Sequence, residues 1–286
     1  MIRLAAGDWT AGVRPELGGA VVFLRKGDLD VLRPTAEGAV DPLETACFPL
    51  TPYANRIAGA RFRFRGREVS IPTLAAFTPH ALHGDGWLKP WTVERASSDR
   101  VVLALDGGGD DHWPWAYRAR QSLALSDEGL EIVLEMENRS GDEMPGGLGL
   151  HPYLPRPAGA RLTAATTGVW TGADIVPDRL AASAGIADWT GQAVDAAAAA
   201  VSLIDNAYEG WNGVAELADD GGVTRISSDA DRLHVYAPQG QGFVCLEPVT
   251  HRPDVFNQAE PGEGGFRVLA PGGRMTLRMT VGRTAA

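Results

Sequence analysis

Residues 117–136 read YRARQSLALSDEGLEIVLEM, and the pattern of this segment decides the fold class. Residues 117–125 form an extended run, and after Gly129 apolar side chains alternate with glutamates. A period of two is typical of strands that bury one face. Between the two runs, Ser126-Asp127-Glu128-Gly129 is a turn signal. The segment therefore predicts an antiparallel β-hairpin.

The same period recurs on both sides of this hairpin. Residues 61–65 alternate charged and aromatic side chains, turn at Gly66 and return over residues 68–71. Three more strands are predicted further along the chain, at residues 233–236, 242–247 and 275–281.

Helical periodicity is weak throughout, and the Ala-rich residues 195–203 predict a short helix or a loop. No internal repeat or linker divides the chain. The sequence therefore predicts an all-β protein in which residues 1–286 form one large antiparallel β-sandwich domain.

Composition excludes several classes of protein. The 286 residues carry a formal net charge of −10, which disfavours nucleic acid and anionic membrane surfaces as partners. Cys47 and Cys245 make no disulfide framework. The first residues contain no apolar signal core and no run is long enough to cross a bilayer, so a cytoplasmic protein is predicted. A monomer and a homodimer both remain open.

The first candidate site is the segment from Pro79 to Trp87, PHALHGDGW. The glycines around Asp85 permit a compact loop, and Trp87 could offer a flat face to the C–H groups of a sugar. The alternative is a loop packed by its own aromatic rings. His80 and His83 have a spacing found in metal sites, but no second ligand pair accompanies them, so we expect no metal and a structural role for His80.

His151 ends a glycine-rich extended segment and is followed by Pro152, which is expected to end the strand. A histidine at a strand end that faces a cleft suits acid–base work, because its ordinary pKa lies near neutrality. The alternative is a hydrogen-bonded histidine that only caps the strand.

Glu247 follows the apolar residues Phe243-Val244-Cys245-Leu246, and Pro248 is expected to end that strand too. A carboxylate in this position is costly unless it is paired or reaches a cleft, and partial burial would raise its pKa. The alternative is an ion pair with a nearby arginine such as Arg252. Cys245 shares a face with Glu247 and is predicted to lie in the core.

Two further segments carry polar groups suited to sugar hydroxyls. Asn55 and Arg56 precede the charged hairpin, and Arg56 offers several fixed donors. Asp205 follows Leu203-Ile204 and could accept hydrogen bonds from vicinal hydroxyls. Arg56 could equally be a structural ion-pair partner, and Asp205-Asn206 is also an ordinary turn signal.

Taken in order, these motifs resemble the aldose 1-epimerase family, which includes galactose mutarotase. The matching segments are Asn55-Arg56-Ile57, His83-Gly84, Trp113-Pro114-Trp115, His151-Pro152-Tyr153, Asp205, Glu247-Pro248 and Leu269-Ala270-Pro271-Gly272-Gly273. The resemblance spans nearly the whole chain and implies a β-sandwich of the galactose mutarotase type with no cofactor and no metal.

The resemblance also implies roles for the candidate residues. Glu247 matches the general base, His151 the general acid and His83 a second active-site histidine, while Arg56 and Asp205 match residues that hold sugar hydroxyls. We also expect Asn55 and Trp87 to contact the substrate. The loop after His83 departs from the galactose-type enzymes, so the sugar remains open.

The expected activity is that of an aldose 1-epimerase, which interconverts the α and β anomers of a free monosaccharide through the open-chain aldehyde. Three alternatives remain, and the first is an enzyme that handles sugar acids or lactones. A hexose-6-phosphate 1-epimerase would need an added basic cluster for the phosphate. A carbohydrate-binding or sensing protein on the same fold would bind sugar without converting it.

Overall fold

A computed structural model of the chain describes residues 1–172, 175–183, 185–186, 204–238 and 241–285. The decisive hairpin forms as predicted from β12 (Tyr117–Ser126) and β13 (Gly129–Asn138), which pair antiparallel from Tyr117 opposite Asn138 to Ser126 opposite Gly129. Buried and partly exposed residues alternate along both strands, as the period of two requires.

This hairpin lies inside an eight-stranded antiparallel sheet, which we call the front sheet. In spatial order its strands are β10 (Thr92–Ala96), β11 (Arg100–Gly107), β12, β13, β26 (Arg274–Thr284), β22 (Gly222–Ser228), β21 (Val214–Asp219) and β17 (Arg161–Ala164).

A second antiparallel sheet, the site sheet, carries Glu247 and Asp205 on its strands, and His151 lies between two of its strands. Its spatial order is β19 (Arg179–Ala182), β18 (Gly168–Thr171), β20 (Ile204–Glu209), β23 (Arg232–Ala237), β24 (Phe243–Val249), β15 (Gly149–Leu150) and β5 (Pro49–Leu50), with β16 (Tyr153–Pro155) also paired to β24.

Smaller elements complete the described chain. They are the four-stranded sheet β1 (Ile2–Ala6), β2 (Trp9–Arg14), β3 (Ala20–Lys26) and β4 (Leu29–Leu32); the pairs β6 (Arg56–Ile57) with β9 (Ala81–Leu82), β7 (Arg61–Phe64) with β8 (Arg67–Ser70), and β14 (Met144–Gly146) with β25 (Arg267–Leu269); one short α-helix, α1 (Val255–Gln258); and four 3-10 turns at Pro42–Glu44, Ala58–Ala60, Ala75–Phe77 and Gly86–Leu88.

The two large sheets give the protein the antiparallel β-sandwich architecture that the sequence predicts. Apolar side chains of both sheets join one buried cluster, to which β13 contributes Leu134 and β23 contributes Val235. Aromatic rings of the Trp113-Pro114-Trp115 motif pack into the same core, where Trp113 lies 5.6 Å from Phe62 between ring centroids. The strands of each sheet are therefore stabilised by the apolar face that packs into this shared core.

Pro248 does not end its strand, which corrects the sequence expectation. β24 runs on to Val249, with Pro248 opposite Leu233 of β23. On the other side of β24, the chain is interrupted between β15 and β16, so the missing N–H of Pro248 lies next to a gap in the pairing. Glu247 therefore lies within the sheet and not at its end.

The remaining sequence expectations for secondary structure are confirmed where the structure describes them. The strands predicted around residues 61–71, 233–236, 242–247 and 275–281 form as β7 with β8, β23, β24 and β26. The predicted helix or loop at residues 195–203 lies outside the described residues. Among the described helices, none is long and apolar enough to span a membrane.

Candidate active site

Glu247 occupies the centre of a row of polar residues that crosses the site sheet. The pairing of β23 with β24 places His234 directly opposite Glu247. On the other side of β24, Gly149 pairs with Val249 and Tyr153 with Cys245, and this common register brings His151 opposite Glu247 as well. Strand register thus gathers three residues that are far apart in sequence.

Glu247 and His151 are in direct contact. His151 Nε2 lies 3.2 Å from Glu247 Oε1, and both side chains are buried. The second carboxyl oxygen, Oε2, is buried and has no hydrogen-bond partner among the described residues. Burial raises the pKa of Glu247 to about 7, and nearby Asp205 adds to this effect against the opposing charges of His234 and Arg56. One carboxyl oxygen of Glu247 therefore keeps its full capacity to form hydrogen bonds.

The ring of His151 is held in a stack of aromatic side chains. Phe48 lies on one face of it at 4.6 Å between ring centroids and Tyr153 on the other at 4.8 Å. Burial, reinforced by the charge of His234, lowers the pKa of His151 to about 3. Desolvation therefore outweighs the nearby carboxylates, and the imidazole of His151 is neutral.

Trp87 lies at the far end of this stack and not on the cavity wall. Its side chain is 1% exposed, stacks on Phe48 at 5.4 Å and donates its indole N–H to the carbonyl of Gly84. The expectation that Trp87 offers its face to a sugar is corrected by this placement: its ring supports Phe48, which in turn supports His151.

His83 presents a fixed hydrogen-bond donor to the site. Its Nδ1 accepts the backbone N–H of Asn55 at 3.0 Å, which leaves the proton of the neutral ring on Nε2. Burial and the neighbouring His151, Arg56 and His234 keep its pKa well below the ordinary value, so the ring stays neutral. The rings of His83 and His151 meet edge to face at 5.4 Å.

His234, which the sequence analysis did not single out, is an imidazole of the site whose charged form is favoured by its neighbours. Its Nε2 lies 2.6 Å from Asp205 Oδ1, and Asp205 Oδ2 lies 3.4 Å from Arg56 Nη2. Burial alone would lower the pKa of His234, but Glu247 and Asp205 raise it above its ordinary value. The only sequence signal was a histidine within the apolar run Leu233-His234-Val235.

Most of the predicted site residues surround one cavity of about 260 Å³. The predicted residues on its wall are Asn55, Arg56, His83, His151, Asp205 and Glu247, and the residues that the sequence analysis missed include Arg33, His234, Tyr236 and Phe243. The amide of Asn55 lies 3.4 Å from the ring of His234. The arrangement combines a buried carboxyl, neutral and charged imidazoles and aromatic walls.

The other assignments made from local sequence are resolved as follows. Arg252 donates to Gln258 and not to Glu247, so the alternative ion pair is wrong. Cys245 is buried in the core, as predicted, and its pKa is raised by burial. His80 accepts the backbone N–H of Gly59 at 3.2 Å, which agrees with a structural role.

Three groups of the site also have the donor types of a metal centre. Ligand atoms of His83, His151 and Glu247 lie within 4.8 Å of one another. Ligands that share one zinc ion at about 2.1 Å stand about 3.4 Å apart in a tetrahedron, so the trio is wider than a formed centre. The contact between His151 Nε2 and Glu247 Oε1 already uses one potential ligand atom of each residue. This favours the acid–base pair over a metal centre.

The position of His83 depends on the glycine that follows it. Gly84 has φ +70°, and a Cβ there would lie 2.3 Å from the backbone oxygen of Thr51, whereas Gly66 has φ +79° with nothing within 4 Å. Both replacements by alanine share the left-handed strain of about 1–2 kcal/mol. We expect Gly84→Ala to lower the free energy of unfolding, measured in urea, by much more than Gly66→Ala lowers it. We also expect Gly84→Ala to lower activity. Equal losses in the two variants would show that the Thr51 contact does not constrain the loop.

The sandwich architecture and its cavity can now be compared with known proteins. Galactose mutarotase-like sandwiches share this fold: a Clostridium acetobutylicum protein of that type aligns with a TM-score of 0.84 at 20% identity, covering 99% of this chain and 95% of its own. An Escherichia coli K12 protein described as an aldose 1-epimerase of unconfirmed activity aligns with a TM-score of 0.87 at 26% identity. The alignment covers 99% of this chain and 98% of the Escherichia coli chain.

Sequence comparison specifies the family. The aldose 1-epimerase family pattern matches residues 1–282, and the uncharacterized Escherichia coli protein YphB is 30% identical over 280 residues, 92% of each chain. The chain belongs to the aldose 1-epimerase family.

Proposed function

We propose that this protein is an aldose 1-epimerase that interconverts the α and β anomers of a monosaccharide. The observation that carries the proposal is the buried contact between His151 and Glu247 on the wall of a cavity, with one carboxyl oxygen unpartnered. Membership of the family supports the same assignment.

The reaction needs one base and one acid. Opening the ring removes the proton of the C1 hydroxyl and delivers a proton to the ring oxygen, which gives the open-chain aldehyde. Rotation about the C1–C2 bond and closure on the other face reverse both transfers. No electron transfer occurs, and each well-placed proton transfer contributes a factor of about 10²–10⁴.

Glu247 and His151 supply these two groups when they hold one proton between them. Burial disfavours both charged forms and so favours the form in which this proton lies on Glu247. Transfer of the proton across the 3.2 Å contact to His151 Nε2 gives the reactive form, a carboxylate beside an imidazolium. Oε2 of Glu247 then takes the C1 hydroxyl proton, and His151 protonates the ring oxygen.

The neighbouring groups orient the sugar and stabilise developing charge. The Nε2–H of His83 is placed to donate to the oxygen on which negative charge develops. Asp205 is fixed by His234 and Arg56, and the three groups together offer donors and an acceptor to vicinal hydroxyls. Asn55 extends this polar wall.

The shared proton predicts a specific pH dependence. With the pKa of Glu247 at about 7, the pair loses its proton as the pH rises through that value, and no acid remains for the ring oxygen. We expect log(kcat/KM) for anomer exchange, measured from pH 5 to 9, to fall with a slope near −1 above about pH 7. A rate that rises between pH 7 and 9 would contradict a shared-proton pair.

Polarimetry tests the proposal directly. Fresh α-glucose and fresh α-galactose are mixed with the purified protein, and the approach to the equilibrium rotation is followed. The rate is expected to exceed the spontaneous rate and to increase in proportion to the protein concentration. Relaxation at the spontaneous rate for these and for every other aldose tried would contradict an epimerase function.

A further inference from the structure

Arg33 is a fixed cation on the cavity wall that the proposed mechanism does not use. It follows β4, and its backbone N–H donates to the carbonyl of Tyr153 at 2.8 Å. Its Nη2 donates to the carbonyls of Leu43 and Thr45 at 2.6 and 2.8 Å. The guanidinium also lies over the Tyr153 ring at 3.7 Å from its centroid and over the Phe243 ring at 4.7 Å. These contacts hold the guanidinium at one place.

Arg33 differs from the other cations of the cavity in its lack of an acidic partner. Arg56 and His234 share the carboxylate of Asp205. Over the described ranges, Arg33 has no carboxylate within ion-pair distance, and its Nε is buried without a hydrogen-bond partner. Its hydrogen bonds to carbonyls leave its charge uncompensated, which is costly in a partly desolvated site.

The cavity is therefore positive in a protein that is strongly negative overall. Among the described residues of its wall, His234 and Glu247 favour each other's charged forms and together add no net charge, so the two arginines, Arg33 and Arg56, exceed the remaining acid, Asp205, by one positive charge. The chain as a whole has a formal net charge of −10. A neutral monosaccharide would leave this local excess of positive charge uncompensated, whereas an anionic one would neutralise part of it.

The chemistry of the sugar ring indicates where the anionic group would lie. The ring oxygen is bonded to C1 and to C5, so the C6 substituent on C5 lies on the ring-oxygen side of the sugar. His151 faces the ring oxygen in the proposed mechanism, and Tyr153 separates it from Arg33. Arg33 is thus placed beyond the general acid, on the side where the C6 substituent lies.

We propose that Arg33 is a specificity-determining residue and that the site takes aldoses with an anionic group at C6, a carboxylate or a phosphate. This inference rests on the proposed epimerase function and names its substrate class. The anion would meet the guanidinium through Nη1, because Nη2 already donates to two backbone carbonyls and Nε is buried. A charge-assisted hydrogen bond contributes about 1.5–3 kcal/mol, which corresponds to a preference of about 10- to 100-fold over the neutral sugar.

Anomer exchange measured by NMR on three matched sugars tests the inference in the wild-type protein. The sugars are glucose, glucuronate and glucose 6-phosphate, which differ only at C6. We expect kcat/KM for at least one of the anionic sugars to exceed that for glucose by about 10- to 100-fold, mainly through KM. Comparison of glucuronate with glucose 6-phosphate shows whether the site prefers a carboxylate or a phosphate at C6.

Variants then connect the preference to Arg33. Arg33→Gln is expected to lower the ratio of anionic to neutral kcat/KM by at least 10-fold, and Arg33→Lys is expected to recover part of it because the charge returns without the carbonyl contacts that hold the guanidinium in place. Arg225→Gln is a matched control, since Arg225 pairs with Glu216 on an exposed surface and should leave the ratio unchanged. The ratio is used because a general loss of folding would lower both rates together.

The outcomes separate this inference from the proposed function. If glucose is exchanged at least as well as both anionic sugars, or if Arg33→Gln leaves the ratio unchanged, the role of Arg33 is wrong and the epimerase function stands. If none of the three sugars, nor any other aldose, is exchanged, the proposed function fails and the inference fails with it.

Discussion

Replacement of Glu247 by glutamine is expected to lower kcat for anomer exchange by about 10²–10⁴. The amide has nearly the same shape as the carboxyl but cannot accept the C1 hydroxyl proton at Oε2, and it cannot pass a proton to His151. Because Glu247 contacts the reacting atoms in the proposed mechanism, the loss should lie in kcat more than in KM. The rate is measured by polarimetry with saturating sugar at pH 6.5.

The same variant should remain folded, and its stability provides an internal check. Burial raises the pKa of Glu247 in the folded protein from its ordinary value of 4.5 to about 7, so the stability it contributes is present at low pH and is lost as the pH rises through about 7. Above that pH the buried carboxylate is unfavourable, and Glu247→Gln should be more stable than wild type by up to about 3 kcal/mol.

A matched control for this variant is Glu216→Gln, since Glu216 pairs with Arg225 at an exposed position. It should change neither the rate nor the stability by a large amount. Wild-type activity in Glu247→Gln would mean that Glu247 is not the base. A urea midpoint at pH 8.5 equal to that of wild type would mean that the buried carboxylate does not destabilise the folded protein.

Replacement of His151 by asparagine is expected to produce the second large effect, a loss of about 10²–10⁴ in kcat. Asparagine cannot supply a proton to the ring oxygen, and it leaves Glu247 without its contact. The loss of the ring between Phe48 and Tyr153 should also lower the free energy of unfolding by about 1–3 kcal/mol. The alkaline fall in the pH profile should disappear, because the shared proton has no acceptor.

His83→Asn is the comparison for this variant. His83 is neutral and donates through Nε2 in the proposed mechanism, so its loss should cost less than that of His151, about 10- to 100-fold. Because Glu247 and His151 act as a unit, the double variant Glu247→Gln with His151→Asn should be little slower than either single variant. A His83→Asn variant slower than His151→Asn would reverse the two histidine roles.

The sequence predicted the parts of this protein that depend on local pattern. Alternating apolar residues identified β12, β13 and β26, since one buried face imposes a period of two on each strand. His151 and Glu247 were identified as candidates because His151 ends a glycine-rich segment and Glu247 interrupts an apolar run. Neither prediction needed knowledge of which strands are neighbours.

The parts that the sequence did not predict depend on contacts between distant segments. His234 enters the site because the register of β23 places it opposite Glu247, and nothing in its local sequence reports this pairing. Trp87 was assigned to the cavity for its aromatic face, but the packing of Phe48 against it buries the ring. Arg33 reaches the cavity through its contact with Tyr153, which lies 120 positions further along the chain.

Exchange spectroscopy by NMR at anomeric equilibrium tests the central claim most directly. The α and β anomeric protons of one sugar give separate signals, and exchange between them produces cross peaks without any change in composition. The account predicts cross peaks whose intensity grows with wild-type protein and returns to the spontaneous level with Glu247→Gln. Saturable binding of the sugar with no protein-dependent cross peaks would instead identify a carbohydrate-binding protein on an epimerase fold.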